Sequence, residues 1–195
     1  MTPRRQAPVW LLAGTLSGAG LACRLQPPDV LPARMIEPRL TEPAPAAATS
    51  AAAPVRLLAT QARGHIGRRL LHQQADGEIV EDVVWRWSSG PDRYLDSALR
   101  LAFASHKDLR LVDAGSAASM GVTLIAWHLE SAGGGKLVGA VELEVTRPDR
   151  AVRTEVIRGN EPVSGALPGD LAAASGRLLQ TLASESLARV VKIVR

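Results

Sequence analysis

The chain has 195 residues, 46% of them hydrophobic, enough for one packed domain plus appended segments. Aromatics make up 3%, and two of the positive charges behind the formal +4 are Arg4 and Arg5. With no basic run and few aromatics, this composition argues against a nucleic-acid partner, and a single cysteine, Cys23, excludes an internal disulfide or a cysteine cluster for a metal.

The first 22 residues read as an address. Arg4 and Arg5 precede an apolar stretch over 9–22. It falls short of the roughly 20 residues that span a bilayer. A charged start, a short apolar region and small residues at its end mark a secretory signal peptide over 1–22. Cys23 directly after Ala22 resembles the acylated cysteine of bacterial lipoproteins. Gly20 stands where such sites usually carry leucine, and Gly20-Leu21-Ala22 also fits ordinary signal cleavage. Three outcomes stay open: a lipid on Cys23, release as a soluble periplasmic protein, and an uncleaved anchor. By analogy with lipoprotein sorting, Arg24 permits passage to the outer membrane.

Residues 23–54 hold seven of the thirteen prolines and an Ala/Thr/Ser run. Proline-rich sequence without periodicity stays extended, so this segment reads as a tether. A short strand over 35–40 is compatible with Ile36 and Leu40 docking on a sheet edge, where proline is tolerated.

From Val55 onward the chain is periodic, and 55–195 reads as the domain. "VRLLAT" predicts a strand. "HIGRRLLHQQADGEIVEDVVWRW" predicts two strands around Asp76-Gly77, a hairpin turn signal. Val83, Trp85 and Trp87 alternate with Asp82, Val84 and Arg86, which puts both tryptophans on one face. Gly90-Pro91 opens a helix, with Asp92 at its positive end. Leu95, Leu99, Ala102 and Phe103 form its apolar stripe.

A short strand at 109–112 follows. Residues 122–130 are apolar on both faces, as a central strand requires. Residues 137–145 turn Val141, Leu143 and Val145 inward, and residues 151–158 alternate likewise. The last helix carries Leu171, Leu178, Leu182 and Val190 on its stripe, with Leu179 and Leu187 beside them. The expected fold is α+β: an antiparallel-rich mixed sheet with two amphipathic helices packed on one face.

Catalytic signals are absent. His65, His72, His106 and His128 show no metal-ligand spacing. No nucleophile elbow or phosphate loop occurs, and "GGG" at 133–135 reads as a turn. Ser119 and Ser184 have no local base. Glu142 and Glu144 share the outward face of one strand, which a solvated sheet explains. The sequence therefore predicts no catalytic residues, metal or cofactor.

The order strand, W-x-W-x-x-x-P, amphipathic helix, three strands, closing helix resembles the ABC-type transport auxiliary lipoproteins. These are encoded with MCE-domain lipid transporters. The resemblance spans roughly residues 55–192 and is best at "VVWRWSSGPDRYLDSALRLAF". It departs in lacking tyrosine in the first strand, "MIEPRL" here.

The resemblance implies a non-catalytic component of a lipid or hydrophobic-compound transport system in the bacterial envelope. Such a component would sit on the periplasmic side, anchored through Cys23, with the outer membrane the expected site. Its implied partners are an MCE-domain protein or an ABC permease, with no nucleic acid. Trp85 and Trp87 are the candidate contacts with a partner or lipid, against a core role for the same face. The alternative reading is an outer-membrane assembly lipoprotein of the lipopolysaccharide-insertion type.

Overall fold

A computed structural model describes residues 32–44, 46, 49, 51–130, 135–165 and 168–195. The signal peptide, Cys23 and the tether up to residue 31 lie outside the described residues. No helix among the described residues is long and apolar enough to cross a membrane.

Nine strands form one mixed sheet: β1 (Arg34–Ile36), β2 (Ala53–Leu57), β3 (Gln61–Ala62), β4 (Arg69–Gln73), β5 (Ile79–Trp87), β6 (Leu109–Leu111), β7 (Ala118–Glu130), β8 (Lys136–Thr146) and β9 (Val152–Pro162). Helix α1 (Pro91–Ala104) sits between β5 and β6, and α2 (Pro168–Val194) closes the chain. The fold class is the expected α+β. The long antiparallel ladders β7–β8 and β8–β9 carry most of the pairing.

β7 is the spine, as its two-sided apolar character predicts. β8 runs along one side of it. β2, β3 and β4 share the other side in succession, all parallel to β7. Beyond β2 lies β6, and beyond β4 lie β5 and then β1. Such a split edge follows from the short lengths of β2 to β4, none of which can match a strand of 13 residues alone.

The Asp76-Gly77 hairpin forms as read. Gly77 adopts φ 90°, a left-handed conformation that glycine adopts without penalty. Its N–H donates to the Gln74 carbonyl at 3.0 Å.

Both helices pack on one face. Tyr94, Leu95, Ala98, Leu99 and Phe103 of α1 are buried. Leu178, Leu179, Leu182, Leu187 and Val190 of α2 are buried with them, as the stripe requires. α2 lies close to the sheet because β8 and β9 offer glycines beneath it. A Cβ on Gly159 would come within 2.9 Å of Leu178. Val141, Leu143 and Val145 face this core, as expected.

The structure departs from the tether reading at the described residues between 34 and 54. β1 pairs with β5 in parallel register, Ile36 opposite Trp87. The Arg39 N–H donates to the Ala172 carbonyl of α2 at 3.0 Å. The Ala46 and Thr49 N–H groups reach the carbonyls of Ala104 and Lys107. The docked strand is Arg34–Ile36 rather than 35–40. Proline at 38 has no N–H for a ladder, so pairing stops before it. Composition signals the lack of periodicity here, but the N–H groups of Arg39, Ala46 and Thr49 still find carbonyls on distant elements.

Candidate functional site

The tryptophan strand β5 is where the sheet becomes irregular. Along β4 and β5, Arg69 lies opposite Arg86 but Leu71 lies opposite Glu81. Two steps on β4 thus match five on β5, and the surplus bulges out over residues 82–85. Asp82 organises the bulge. One carboxylate oxygen accepts the N–H groups of Val84 at 2.7 Å and Trp85 at 2.8 Å. The other meets His72 Nε2 at 2.9 Å. An aspartate that folds the backbone two and three residues ahead is a local turn device.

Burial by itself would raise the Asp82 carboxyl. The N–H donors of Trp85 and Val84, with His72 beside them, outweigh it and hold the group below the ordinary carboxylate range. A folded-state value below the unfolded one stabilises the protein above the unfolded value. That contribution is lost as the pH falls through the folded value. Asp82→Ala is therefore expected to cost about 1–3 kcal/mol at neutral pH, since it leaves part-buried donors unpaired. It should also flatten the acid limb of the stability profile below about pH 4. Urea midpoints of parent and variant between pH 3 and 7 measure both, and parallel profiles would refute the assignment.

The bulge sends Val83 outward, where it is 75% exposed. Trp85 turns to the helix face of the sheet and stays half-buried beside the start of α2. Its indole forms one wall of an apolar pocket of about 210 Å³. Ile36, Leu70 and Leu129 supply the sheet side, and Pro168 and Leu171 supply the start of α2. His72 and Asp82 sit at the rim. Trp85 also borders a second hollow with Pro32, Arg34 and Val83. The Arg34 guanidinium stands 5.4 Å from the Trp85 ring centroid, a cation–π contact.

The two tryptophans share a face, as alternation predicts, but the structure separates their roles. Trp87 is 0% exposed and its ring centroid lies 5.8 Å from that of Trp127. As a candidate contact it is corrected to a core residue, because it lies below the helices. Trp85 is half-buried and stays at the rim. The third candidate, Cys23, lies outside the described residues.

The turn after Trp87 joins three elements. The Ser88 N–H donates to the Ile36 carbonyl at 2.9 Å, and the Ser89 N–H donates to the Tyr94 hydroxyl at 2.8 Å. Ser88 Oγ bonds Glu37 and Tyr94. "SSGP" is thus a structural junction between β1, β5 and α1. Glu37 lies 51 residues from Ser88, so no local signal could have paired them.

The other histidines do not join the site. His106 Nδ1 accepts the Asp108 N–H at 3.2 Å. Burial holds His128 below its ordinary range, with Glu130 opposing. Among the described residues no group of three or more His, Cys, Asp or Glu side chains could hold a metal ion. The site offers an apolar recess with a charged rim, which suits holding an apolar group.

No protein-family model matches the chain, and no curated protein does. Among solved structures, protein XCC0632 from Xanthomonas campestris, described under DUF330, superposes with a TM-score of 0.65. The two share a fold. The match covers 82% of this chain and 94% of that one at 17% identity. A second solved protein, itself uncharacterized, matches over 83% of this chain and 99% of its own, at 14% identity and a TM-score of 0.63. A minor lipoprotein from Acinetobacter baumannii aligns with a TM-score of 0.41 at 9% identity, over 72% of this chain and 93% of that one.

Proposed function

We propose that this protein is a non-catalytic, lipid-anchored component of the bacterial envelope. It serves an ABC-type, MCE-associated system that moves lipid or another hydrophobic compound, and it acts by binding partner proteins. Cys23 carries the anchor and places the domain on the periplasmic side, at the outer membrane. The partner is an MCE-domain protein or an ABC permease.

The observation that carries this reading is the Trp85 pocket. It is apolar and open, and it lies on the helix face between the sheet and the start of α2. The Asp82 carboxylate at its rim is engaged by two backbone N–H groups and His72, an arrangement that shapes the recess. A large aromatic beside an arginine at a pocket rim is the composition of an interaction hot spot.

The test places a photo-crosslinking side chain at Val83, on the hollow that shares Trp85 with the pocket, in full-length protein in its own envelope. Mass spectrometry then identifies the adducts. An MCE-domain protein or an ABC permease is the expected product, and Trp85→Ala should reduce its yield. An outer-membrane barrel as the sole product would replace this reading with that of an assembly lipoprotein. Labelling with a clickable fatty acid checks the anchor separately, and Cys23→Ser should abolish incorporation.

A further inference from the structure

β9 is the outermost strand on its side of the sheet. It bonds β8 along one edge and, among the described residues, no strand along the other. The ladder runs from Lys136 opposite Pro162 to Thr146 opposite Val152 without a bulge. At one end the Arg147 N–H donates to the Ala151 carbonyl at 2.9 Å, and at the other the Val163 N–H donates to the Gly135 carbonyl at 3.1 Å. Antiparallel ladders alternate hydrogen-bonded and non-hydrogen-bonded pairs. These two ends therefore set the phase. Odd-numbered residues from 151 to 163 direct their backbone groups at β8. Even-numbered residues, Val152 to Asn160, direct theirs at the open edge.

Native sheets usually blunt such an edge with charged side chains, lysine above all, or with an interior proline, a bulge or short length. β9 is 11 residues long, has no lysine, and carries proline only at its last position. It also exposes Val152 at 54% and Val156 at 44%.

We propose that the free edge of β9 pairs antiparallel with β9 of a second copy of this chain, Thr154 opposite Thr154 on a two-fold axis. In that register Val152 meets Val156 of the second copy, and Arg153 meets Glu155, each twice by symmetry. The even-numbered pairs are then the hydrogen-bonded ones, as the phase requires. Arg153 and Glu155 fall at non-hydrogen-bonded positions, where side chains come closest and opposite charges attract. Charge selects this register over both neighbours. Sliding by one two-residue step sets Glu155 against Glu155, and the opposite step sets Arg153 against Arg153. Glu155 lies 3.5 Å from Arg189 of α2, which holds it beside the edge. The inference is independent of the transport reading.

Sedimentation of the full chain in detergent, over a range of protein concentrations, tests it. The parent should dimerise. Arg153→Glu or Glu155→Arg alone should raise the dissociation constant about tenfold or more. Arg153→Glu combined with Glu155→Arg should restore dimerisation. Thr154→Pro removes one outward N–H and leaves the β8 ladder intact, so it should give a folded monomer with the parent's near-UV circular dichroism. A parent that is monomeric throughout overturns the proposal. So does self-association that survives Thr154→Pro, or a double variant no better than the single ones. An edge occupied only by a strand of another protein would overturn it equally.

Discussion

Gly176→Ala is expected to destabilise the protein by about 1–3 kcal/mol, although alanine is the better helix former by about 1 kcal/mol. The reason is a close approach. The carbonyl oxygen of Arg39 lies 1.8 Å from where a Cβ on Gly176 would sit, and the carbonyl carbon lies 2.6 Å away. These are backbone atoms, so no side-chain rotation relieves the clash.

The Arg39 stretch must lift off α2, which breaks the bond from its N–H to the Ala172 carbonyl. It also strains the bond from Gln180 Nε2 to the Thr41 carbonyl, 2.6 Å long. Ile36, a wall of the Trp85 pocket, precedes this stretch by three residues and is buried at 2% exposure. The expected result is a lower urea midpoint, faster exchange of the Arg39 amide and tryptic cleavage after Arg39. A variant as stable as the parent, with Arg39 still protected, would show that the strap is not seated on Gly176.

The second large effect is at Trp87. Trp87→Ala should cost about 3–5 kcal/mol, the range for deleting a fully buried large aromatic. For a chain of this size that lowers the melting temperature by roughly 6–20 °C. Trp87 packs against Trp127 with rings inclined at 57°, and it sits opposite Ile36 in the β1–β5 register. Its loss therefore opens a cavity in the core beside Trp127 and Ile36. Trp85→Ala, two residues away, should cost only about 1–2 kcal/mol, because its ring is half-buried and less area returns to water. It should instead remove the pocket wall and the seat of Arg34. Thermal melts of the two variants, with crosslinking yield from Val83, separate the roles. If Trp85→Ala proved the more destabilising, core and rim would have to be exchanged.

Much of this architecture was legible along the chain because its signals are local. The Asp76-Gly77 turn, the switch of period at Gly90-Pro91 and the leucine stripes of both helices each depend on residues within a few positions. The two-sided apolarity of residues 122–130 sufficed to place that strand at the centre. The bulge at 82–85 was not legible. Alternation through Val83, Trp85 and Trp87 suggests a regular strand, yet Asp82 captures two backbone N–H groups and throws Val83 into solvent. The signal was present as an aspartate inside a strand, where that residue is disfavoured. His72, arriving from β4, engages the other carboxylate oxygen and ties the bulge to its neighbour.

The sequence by itself determined both helices and the longer strands, the α+β class and the shared face of the two tryptophans, because hydrophobic periodicity and turn chemistry act over short separations. Only the tertiary structure decided that the described residues between 34 and 54 belong to the domain, that Trp87 is core while Trp85 borders a pocket, and that β9 presents an open edge. Those outcomes rest on partners far apart in the chain. Arg39 finds its carbonyl on α2, Ile36 finds Trp87, and the pocket closes only when the start of α2 folds back over the sheet. Which elements become neighbours depends on how all the apolar stripes are buried at once, and no local pattern carries that choice.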